Sequence, residues 1–247
     1  MALTSEQIES FESEGFLTGI DVSGQEQVRS TREAFDEFEA RVGREKCQEG
    51  IGNLHFQEAF GWDLTTNPHV LDNIESLLGP DILLLGTRTF CKYGPSDDFV
   101  AWHQDVTYWG LEPPFAVNAW IAIDDSDADN GCVQFVPRSH KWGLREHGKA
   151  DEVGNLLSLN QQVPMSEEES SQVVDNELKA GQISIHHGMM AHGSRPNRST
   201  RRRCGMAMIY VPASSRPAEI AKGQWKVVPV RGEVNECHFE QMPRPFP

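Results

Sequence analysis

Two short stretches, far apart in the chain, carry residue types that can bind one metal ion together: AWHQD at residues 101–105 and MAHGS at residues 190–194. In an extended strand alternate side chains lie on the same face, so His103 and Asp105 are predicted to point the same way. His192, which is predicted to begin a turn after the distant strand that ends at residue 185, supplies a third ligand. Two imidazoles and one carboxylate with open coordination positions are the facial triad of non-haem Fe(II) oxygenases. The pattern therefore predicts a redox metal centre.

An oxygenase that consumes 2-oxoglutarate must also hold a dicarboxylate. One end of 2-oxoglutarate chelates the iron through its keto-acid group, and the other end needs a cation. Arginine suits this role because its planar guanidinium pairs bidentately with a carboxylate and stays charged. Arg203 stands eleven residues after His192 at the head of a predicted strand, and Ser194 offers a hydroxyl donor to the same carboxylate.

Composition restricts the partners and the compartment. The chain has 247 residues, enough to bury a substantial core, and a formal charge of −15. This acidity disfavours nucleic acid, so the arginines at positions 195, 198, 201, 202 and 203 favour binding of a small anion instead. Apolar runs are too short to span a membrane. The five cysteines form no CxxC pair and suit free thiols in the cytoplasm.

The amino-terminal third is predicted to be helical, as a cover over about residues 1–80. Thr4 and Gln7 form a capping box for a first helix that ends at Gly15. An apolar stripe at helical spacing predicts a second helix from residue 25 to about 44. A third helix is predicted over residues 69–78, with a proline at its first turn.

From residue 82 onward the pattern changes to short β-prone runs, which predict a core at about residues 81–212. Strands are predicted at residues 82–93, 100–108, 117–123, 132–136, 181–185 and 204–211. The polar stretch at about residues 142–180 is predicted to be a lid-like insertion. Residues 224–247 are predicted to be an extended or mobile tail. We expect a single domain over residues 1–247, mainly β, with the helices packed on a barrel or sandwich.

Three motifs together resemble the phytanoyl-CoA dioxygenase (PhyH) family. They are WHQD at residues 102–105, GCVQFVPRSH at residues 131–140, and HGS at residues 192–194 followed by Arg203. The opening at residues 3–17 is also similar, and the likeness covers most of residues 3–212 in the family's order. It implies a double-stranded β-helix (jelly-roll) core with N-terminal helices packed on it. It also implies Fe(II), 2-oxoglutarate and O2.

The resemblance also implies roles for individual residues. His103, Asp105 and His192 match the family's iron ligands. Arg203 and Ser194 match the residues that hold the far carboxylate of 2-oxoglutarate. Relatives that halogenate have a small residue in place of the ligand carboxylate, so the presence of Asp105 favours hydroxylation.

Two further positions are weaker matches. Trp120 matches a tryptophan that lines the cosubstrate pocket, although ordinary core packing is an equal alternative for a tryptophan in a strand. Gln104 lies next to the ligands but on the other face of an ideal strand; we count it provisionally among the cosubstrate-binding residues. His186 is an equally open choice between a support for the ligands and a hydrogen-bonded turn residue.

The expected activity is hydroxylation of a small polar metabolite, with release of succinate and CO2, by a monomer or homodimer. Residues near the motifs that could line the substrate pocket are Tyr108, Trp109, Asn118 and Gln134. Three alternatives stay open. The site could hold zinc for hydrolysis or isomerisation, the fold could bind a ligand without catalysis, or the oxidation could end in epimerisation, desaturation or cyclisation.

Overall fold

The computed structural model describes residues 2–149, 153–157, 161–234 and 237–246. The helices are α1 (Ser5–Glu14), α2 (Gln25–Val42), α3 (Arg44–Glu49), α4 (Leu54–Gln57), α5 (Ala59–Thr65), α6 (Pro68–Leu78), α7 (Val106–Trp109) and α8 (Glu167–Ser171). The strands are β1 (Phe16–Asp21), β2 (Ile51–Gly52), β3 (Ile82–Lys92), β4 (Val100–His103), β5 (Leu111–Glu112), β6 (Val117–Ala122), β7 (Val133–Phe135), β8 (Gly148–Lys149), β9 (Gln161–Gln162), β10 (Val174–Asn176), β11 (Gln182–His187), β12 (His192–Ser194), β13 (Arg203–Pro212), β14 (Arg216–Pro217), β15 (Lys226–Arg231) and β16 (Glu240–Gln241).

The predicted helical cover is confirmed. Helix α1 has both hydrogen bonds of the Thr4–Gln7 capping box and ends at Gly15, whose φ of 89° lies in the left-handed region. Helices α2 and α6 follow close to their predicted bounds, and Pro68 occupies the first turn of α6. Within the described residues, no helix combines the length and the apolar character that crossing a bilayer requires.

The helices pack on one face of a large sheet with the strand order β1-β11-β6-β13-β3-β15-β16, and β2 pairs with β3 at the side. Apolar side chains of α2 and α6, including Phe35 and Ile74, share one core with Leu84 of β3 and Tyr210 of β13. Alternate residues of β3 point away from the helices. Arg88, Phe90 and Lys92 on this other face line a cavity.

A smaller sheet with the order β10-β7-β12-β4 completes the architecture. A cavity of about 710 Å³ is lined by residues of both sheets, among them Lys92 and Arg203 of the large sheet and His103 and His192 of the small one. The cavity therefore lies between the sheets. This two-sheet arrangement with helices on the outside confirms the predicted jelly-roll fold.

Two local predictions around the metal ligands are wrong. The strand predicted for residues 100–108 ends at His103, because Asp105 has helical backbone angles (φ −61°, ψ −40°) and opens helix α7. The amide of Tyr108 donates to the Asp105 carbonyl (2.9 Å), which closes this turn. His192 does not lie in a turn but begins strand β12, directly opposite His103 of β4.

The segment after residue 224 is extended as predicted, but it is not a loose tail. Strand β15 pairs with β3 of the large sheet, and its Val227 and Val228 are fully buried. Burial of two valine side chains stabilises the fold by roughly 3–6 kcal/mol relative to their exposure. The carboxy-terminal strand is therefore part of the core sheet.

Two parts of the polar insertion at residues 142–180 lie along the outer edge of β4, whereas its strand β10 pairs with β7 at the other edge of the small sheet. The amide of Val163 donates to the Trp102 carbonyl (2.7 Å), and the amide of Leu156 donates to the Phe99 carbonyl (2.9 Å). These bonds satisfy backbone groups on an edge strand that would otherwise be unpaired. Residues 150–152 and 158–160 of the insertion lie outside the described part of the chain.

Candidate active site

The three predicted metal ligands come together at one end of the small sheet. The donor atoms of His103, Asp105 and His192 all lie within 4.8 Å of one another. The Nε2 atom of His103 lies 3.4 Å from Asp105 Oδ1, and the Nε2 atom of His192 lies 3.8 Å from Asp105 Oδ2. The opposition of β4 and β12 places the two imidazoles next to each other, with ring centroids 4.0 Å apart and ring planes tilted by 46°.

Both histidines are oriented for metal binding by hydrogen bonds of their other ring nitrogen. His103 Nδ1 lies 2.9 Å from the Ala101 carbonyl oxygen, and His192 Nδ1 lies 3.0 Å from that of Met190. A carbonyl oxygen only accepts, so each Nδ1 carries the proton and each Nε2 presents a lone pair. Burial lowers the pKa of His192 to about 3, which keeps its imidazole in the neutral, ligating form.

The carboxylate of Asp105 is fixed by the large sheet. Asn118 of β6 donates from Nδ2 to Asp105 Oδ2 (2.9 Å), and His186 of β11, directly opposite Asn118, has its Nε2 3.6 Å from the same oxygen. Burial acts to raise the pKa of Asp105, but the neighbouring histidines, His192 first, lower it well below its usual value. Asp105 is therefore ionised, which is the form of a carboxylate that binds metal ions. The donor set fits a divalent transition-metal ion with open positions.

Arg203 lies at another part of the same cavity and is almost fully buried, at 2% exposure. Its Nε and Nη2 atoms donate to the Gly131 carbonyl (3.0 and 2.7 Å), and Nη2 lies 3.5 Å from Ser194 Oγ. The guanidinium has no carboxylate partner among the described residues. Arg203 and Ser194 therefore lie together, as the sequence indicated, with a positive charge to be compensated.

Lys92 adjoins this arginine, although none of the sequence motifs predicts its place in the site. It faces Arg203 across β3 and β13, is 1% exposed, and donates from Nζ to the Ser194 carbonyl (3.2 Å). Burial, and then the charge of Arg203, lower its pKa well below the usual value. The sequence signal for this residue is a lysine at the end of the apolar run ILLLGTRTFCK. A cation is rarely buried in a strand without a partner, so such a lysine indicates a binding role. Two adjacent buried cations fit the free carboxylate of a dicarboxylic acid.

Trp120 lines the cavity beside this pair and also packs in a buried apolar cluster, so it has the contacts of both predicted alternatives. The Arg203 guanidinium lies over its ring, 5.4 Å from the centroid. The indole occupies the space above Gly205 of β13, where an added Cβ would lie only 1.9 Å from Trp120 Cζ2. Glycine at position 205 is thus required for the ring to occupy this position.

Gly205→Ala is expected to push the Trp120 indole out of place. We predict that the free energy of unfolding falls by about 1–3 kcal/mol and that the Kd of 2-oxoglutarate rises about tenfold. Chemical denaturation and calorimetric titration measure these effects. Gly148→Ala is the matched control, since no atom lies closer than 4.0 Å to its added Cβ. Unchanged 2-oxoglutarate binding in Gly205→Ala would show that the ring position is irrelevant to the cosubstrate.

Gln104 differs from its predicted role at the cosubstrate. Its side chain is fully buried and donates from Nε2 to the carbonyls of Gly143 (2.9 Å) and Met189 (2.8 Å). Its Oε1 accepts from the amide of Arg145 (2.8 Å). Every polar atom of the amide is used by backbone, and the side chain lies outside the cavity lining. Gln104 ties the insertion to the segment that leads into His192.

Gln104→Leu is expected to leave three backbone groups without their partner in a buried place. We predict a loss of about 2–4 kcal/mol in the free energy of unfolding and weaker metal binding with little change in the Km for 2-oxoglutarate. Gln224→Leu is the control, because this exposed glutamine also donates to a carbonyl, that of Ile220. A raised Km for 2-oxoglutarate with normal stability would instead return Gln104 to the cosubstrate site.

Three other arginines of the cluster are paired with acidic side chains. Arg198 contacts Asp97, and Arg201 contacts Asp127. Arg202 contacts Asp36, Glu39 and Asp124. These pairs hold the loop before β13 in place, which positions Arg203 at the head of its strand.

Comparisons with known proteins show which family this chain is similar to. The family model for phytanoyl-CoA dioxygenase (PhyH) matches residues 11–205. Phytanoyl-CoA dioxygenase 1 of Oryza sativa subsp. japonica is 26% identical over 270 residues, which cover 91% of this chain and 94% of the relative. A probable alpha-ketoglutarate-dependent hypophosphite dioxygenase of Stutzerimonas stutzeri is 26% identical over 196 residues, covering 77% of this chain and 66% of the relative.

Among solved structures, the apo form of the non-heme monooxygenase ThoJ superposes with a TM-score of 0.78 at 27% identity, covering 96% of this chain and 88% of ThoJ. The likeness thus extends over nearly the whole chain, including the carboxy-terminal part beyond the family model. The chain belongs to the phytanoyl-CoA dioxygenase (PhyH) family and is a non-haem dioxygenase dependent on Fe(II) and 2-oxoglutarate.

Proposed function

We propose that the protein hydroxylates a C–H bond of a small polar metabolite, using Fe(II), 2-oxoglutarate and O2 and releasing succinate and CO2. One observation carries this proposal: a buried His103–Asp105–His192 triad shares a single cavity with the buried cation Arg203. The triad suits Fe(II), and the cation suits the free carboxylate of 2-oxoglutarate. When bound, the iron supplies the redox chemistry, and the protein supplies geometry and exclusion of water.

The role of each residue follows from its contacts. His103 and His192 would bind the metal through Nε2, because their Nδ1 protons are held by backbone carbonyls. Asp105 would bind as a carboxylate kept in orientation by Asn118. Ser194 would donate its hydroxyl to the cosubstrate carboxylate, beside the guanidinium that neutralises it.

The insertion supports a further part of the proposal, a cover that excludes water. Leu156 and Leu157 line the cavity. Val163, which follows β9, donates its amide to the carbonyl of Trp102 in β4, the strand that ends at His103. Apolar side chains over a redox centre limit access of bulk water and so limit side reactions. We assign this covering role to the part of the insertion around Leu156 and Leu157.

The zinc alternative is disfavoured by charge. A hydrolase needs a metal and a water molecule, but it has no use for two buried cations without acidic partners. Arg203 and Lys92 are such a pair, since the hydrogen bonds of both in the described structure go to carbonyls and a hydroxyl. A ligand-binding protein without catalysis would not require the complete ligand set.

The test is an assay of succinate release and O2 consumption with Fe(II), 2-oxoglutarate and a library of small polar metabolites, followed by mass spectrometry. We expect slow succinate release without substrate, faster release with a substrate, and a product that gains one oxygen atom. A product that loses two hydrogens would indicate desaturation or cyclisation, and one of unchanged mass would indicate epimerisation. No succinate with any compound, in protein shown to hold iron, would contradict the proposal.

A further inference from the structure

The cavity extends beyond the cosubstrate residues, along strand β3 and away from Lys92. Lys92, Phe90 and Arg88 alternate on the same face of β3, so Arg88 lies about 13 Å from Lys92 along the strand. This separation is much longer than one carboxylate group, so a carboxylate held by Lys92 and Arg203 does not also reach Arg88. Arg88 therefore belongs to the part of the cavity left for the substrate.

Arg88 carries a charge that no acidic residue of the described structure compensates. Its Nη2 donates to the carbonyl of Glu49 (3.0 Å), its guanidinium lies 5.2 Å from the centroid of the Phe90 ring, and its buried Nε has no hydrogen-bond partner among the described residues. Gly50 packs closely on this guanidinium, because an added Cβ there would lie 3.0 Å from Nε. Burial lowers the pKa of Arg88, as expected for a cation without a counter-ion.

Two more donors without acceptors line the same cavity. The hydroxyl of Tyr108 and the indole Nε1 of Trp225 are both buried, and neither has a partner in the described part of the chain. Both side chains pack on the apolar cluster that contains Ile209, the residue opposite Gly86 on β3. Trp225 immediately precedes β15, the strand that pairs with β3. Buried donors without acceptors are costly unless a ligand supplies the acceptor.

No carboxylate in the described lining of the cavity is free to compensate the charge of Arg88. Asp105 is the one carboxylate among the described lining residues, and it is committed to the metal triad. The lining thus has an excess of positive charge, although the chain as a whole carries −15. A substrate with an anionic, acceptor-rich group matches this local excess.

We propose that the substrate carries an anionic oxyacid group, a carboxylate, phosphonate or sulfonate, that accepts hydrogen bonds from Arg88, Tyr108 and Trp225. The Tyr108 ring lies 6.2 Å from the ring of His103, so a group held there places a neighbouring carbon of the substrate at the metal site. The inference rests on the proposed function in one respect, namely that the substrate must approach the metal triad.

The test uses protein loaded with Mn(II) and saturating 2-oxoglutarate, in which the metal relaxes nearby protons and no turnover intervenes. The probes are butyrate, propylphosphonate and propanesulfonate, with neutral butyramide and cationic propylamine for comparison. Proton relaxation of each probe gives its Kd. We expect at least one anion to bind more than about tenfold tighter than butyramide, as for a charged hydrogen-bonded contact. The strongest of the three anions identifies the oxyacid.

Arg88→Met is expected to raise the Kd of that anion more than about tenfold, and Arg88→Lys is expected to restore part of the lost affinity. Arg216→Met is the matched control, because this arginine is exposed, with 64% side-chain accessibility, and lies outside the cavity. Equal Kd values for anions and butyramide, or an unchanged anion Kd in Arg88→Met, would overturn the inference while Mn(II) and 2-oxoglutarate still bind. Failure of the wild type to bind Mn(II) and 2-oxoglutarate would instead contradict the proposed function.

Discussion

His103→Ala is expected to reduce Fe(II) affinity and succinate formation by more than about 100-fold. The substitution removes one of three ligands and also the imidazole that faces His192 at 4.0 Å. The backbone pairing of β4 with β12 does not depend on the side chain, so the fold should persist. Iron titration, the succinate assay and circular dichroism measure the three effects.

His238→Ala is the control for this substitution, since His238 is exposed and lies far from the ligands in sequence. It should leave iron binding and turnover unchanged. Retention of full turnover by His103→Ala would remove this residue from the metal site. Loss of turnover together with loss of the circular dichroism signal would report unfolding, and metal binding would then be tested with His192→Ala.

Arg203→Ala is expected to raise the concentration of 2-oxoglutarate required for half-maximal activity by about two to three orders of magnitude. In the proposed complex the guanidinium and the carboxylate are both buried, so removing one partner leaves the other charge uncompensated. Lys92 remains and keeps part of the attraction. The Km for 2-oxoglutarate and its Kd by calorimetry should rise together, because the residue acts on binding.

Arg198→Ala is the control for this second substitution. Arg198 belongs to the same arginine-rich segment but is exposed and paired with Asp97. Its loss should alter neither constant. An unchanged requirement for 2-oxoglutarate in Arg203→Ala would move the carboxylate site elsewhere, with Lys92 as the next residue to substitute.

Much of the architecture could be predicted from local patterns. Capping chemistry at Thr4 and Gly15, and the long apolar run of β3, determine their own elements whatever surrounds them. The position of β15 could not be predicted in this way. Its pairing with β3 connects residues far apart in sequence, and no local pattern distinguishes a core strand from an extended tail.

The site residues also divide into those that local patterns predict and those whose role depends on contacts between distant parts of the chain. The ligand types at 103, 105 and 192 were evident, but the reason given for the orientation of Asp105 was wrong, because a helical turn and Asn118 position it rather than a continuing strand. The prediction that Gln104 contacts the cosubstrate is wrong, because its side-chain amide is hydrogen-bonded to three backbone groups. Lys92 was overlooked because its meaning depends on the pairing of two strands that bring it opposite Arg203.

An anaerobic titration of Fe(II)-loaded protein with 2-oxoglutarate, followed by visible spectroscopy, tests the central claim most directly. Chelation of ferrous iron by the keto-acid group produces a charge-transfer band that neither component shows alone. We predict a saturable band in the wild type, a band only at much higher 2-oxoglutarate concentrations in Arg203→Ala, and none in His103→Ala. Absence of the band in wild-type protein that demonstrably holds Fe(II) would contradict the assignment of 2-oxoglutarate to this cavity.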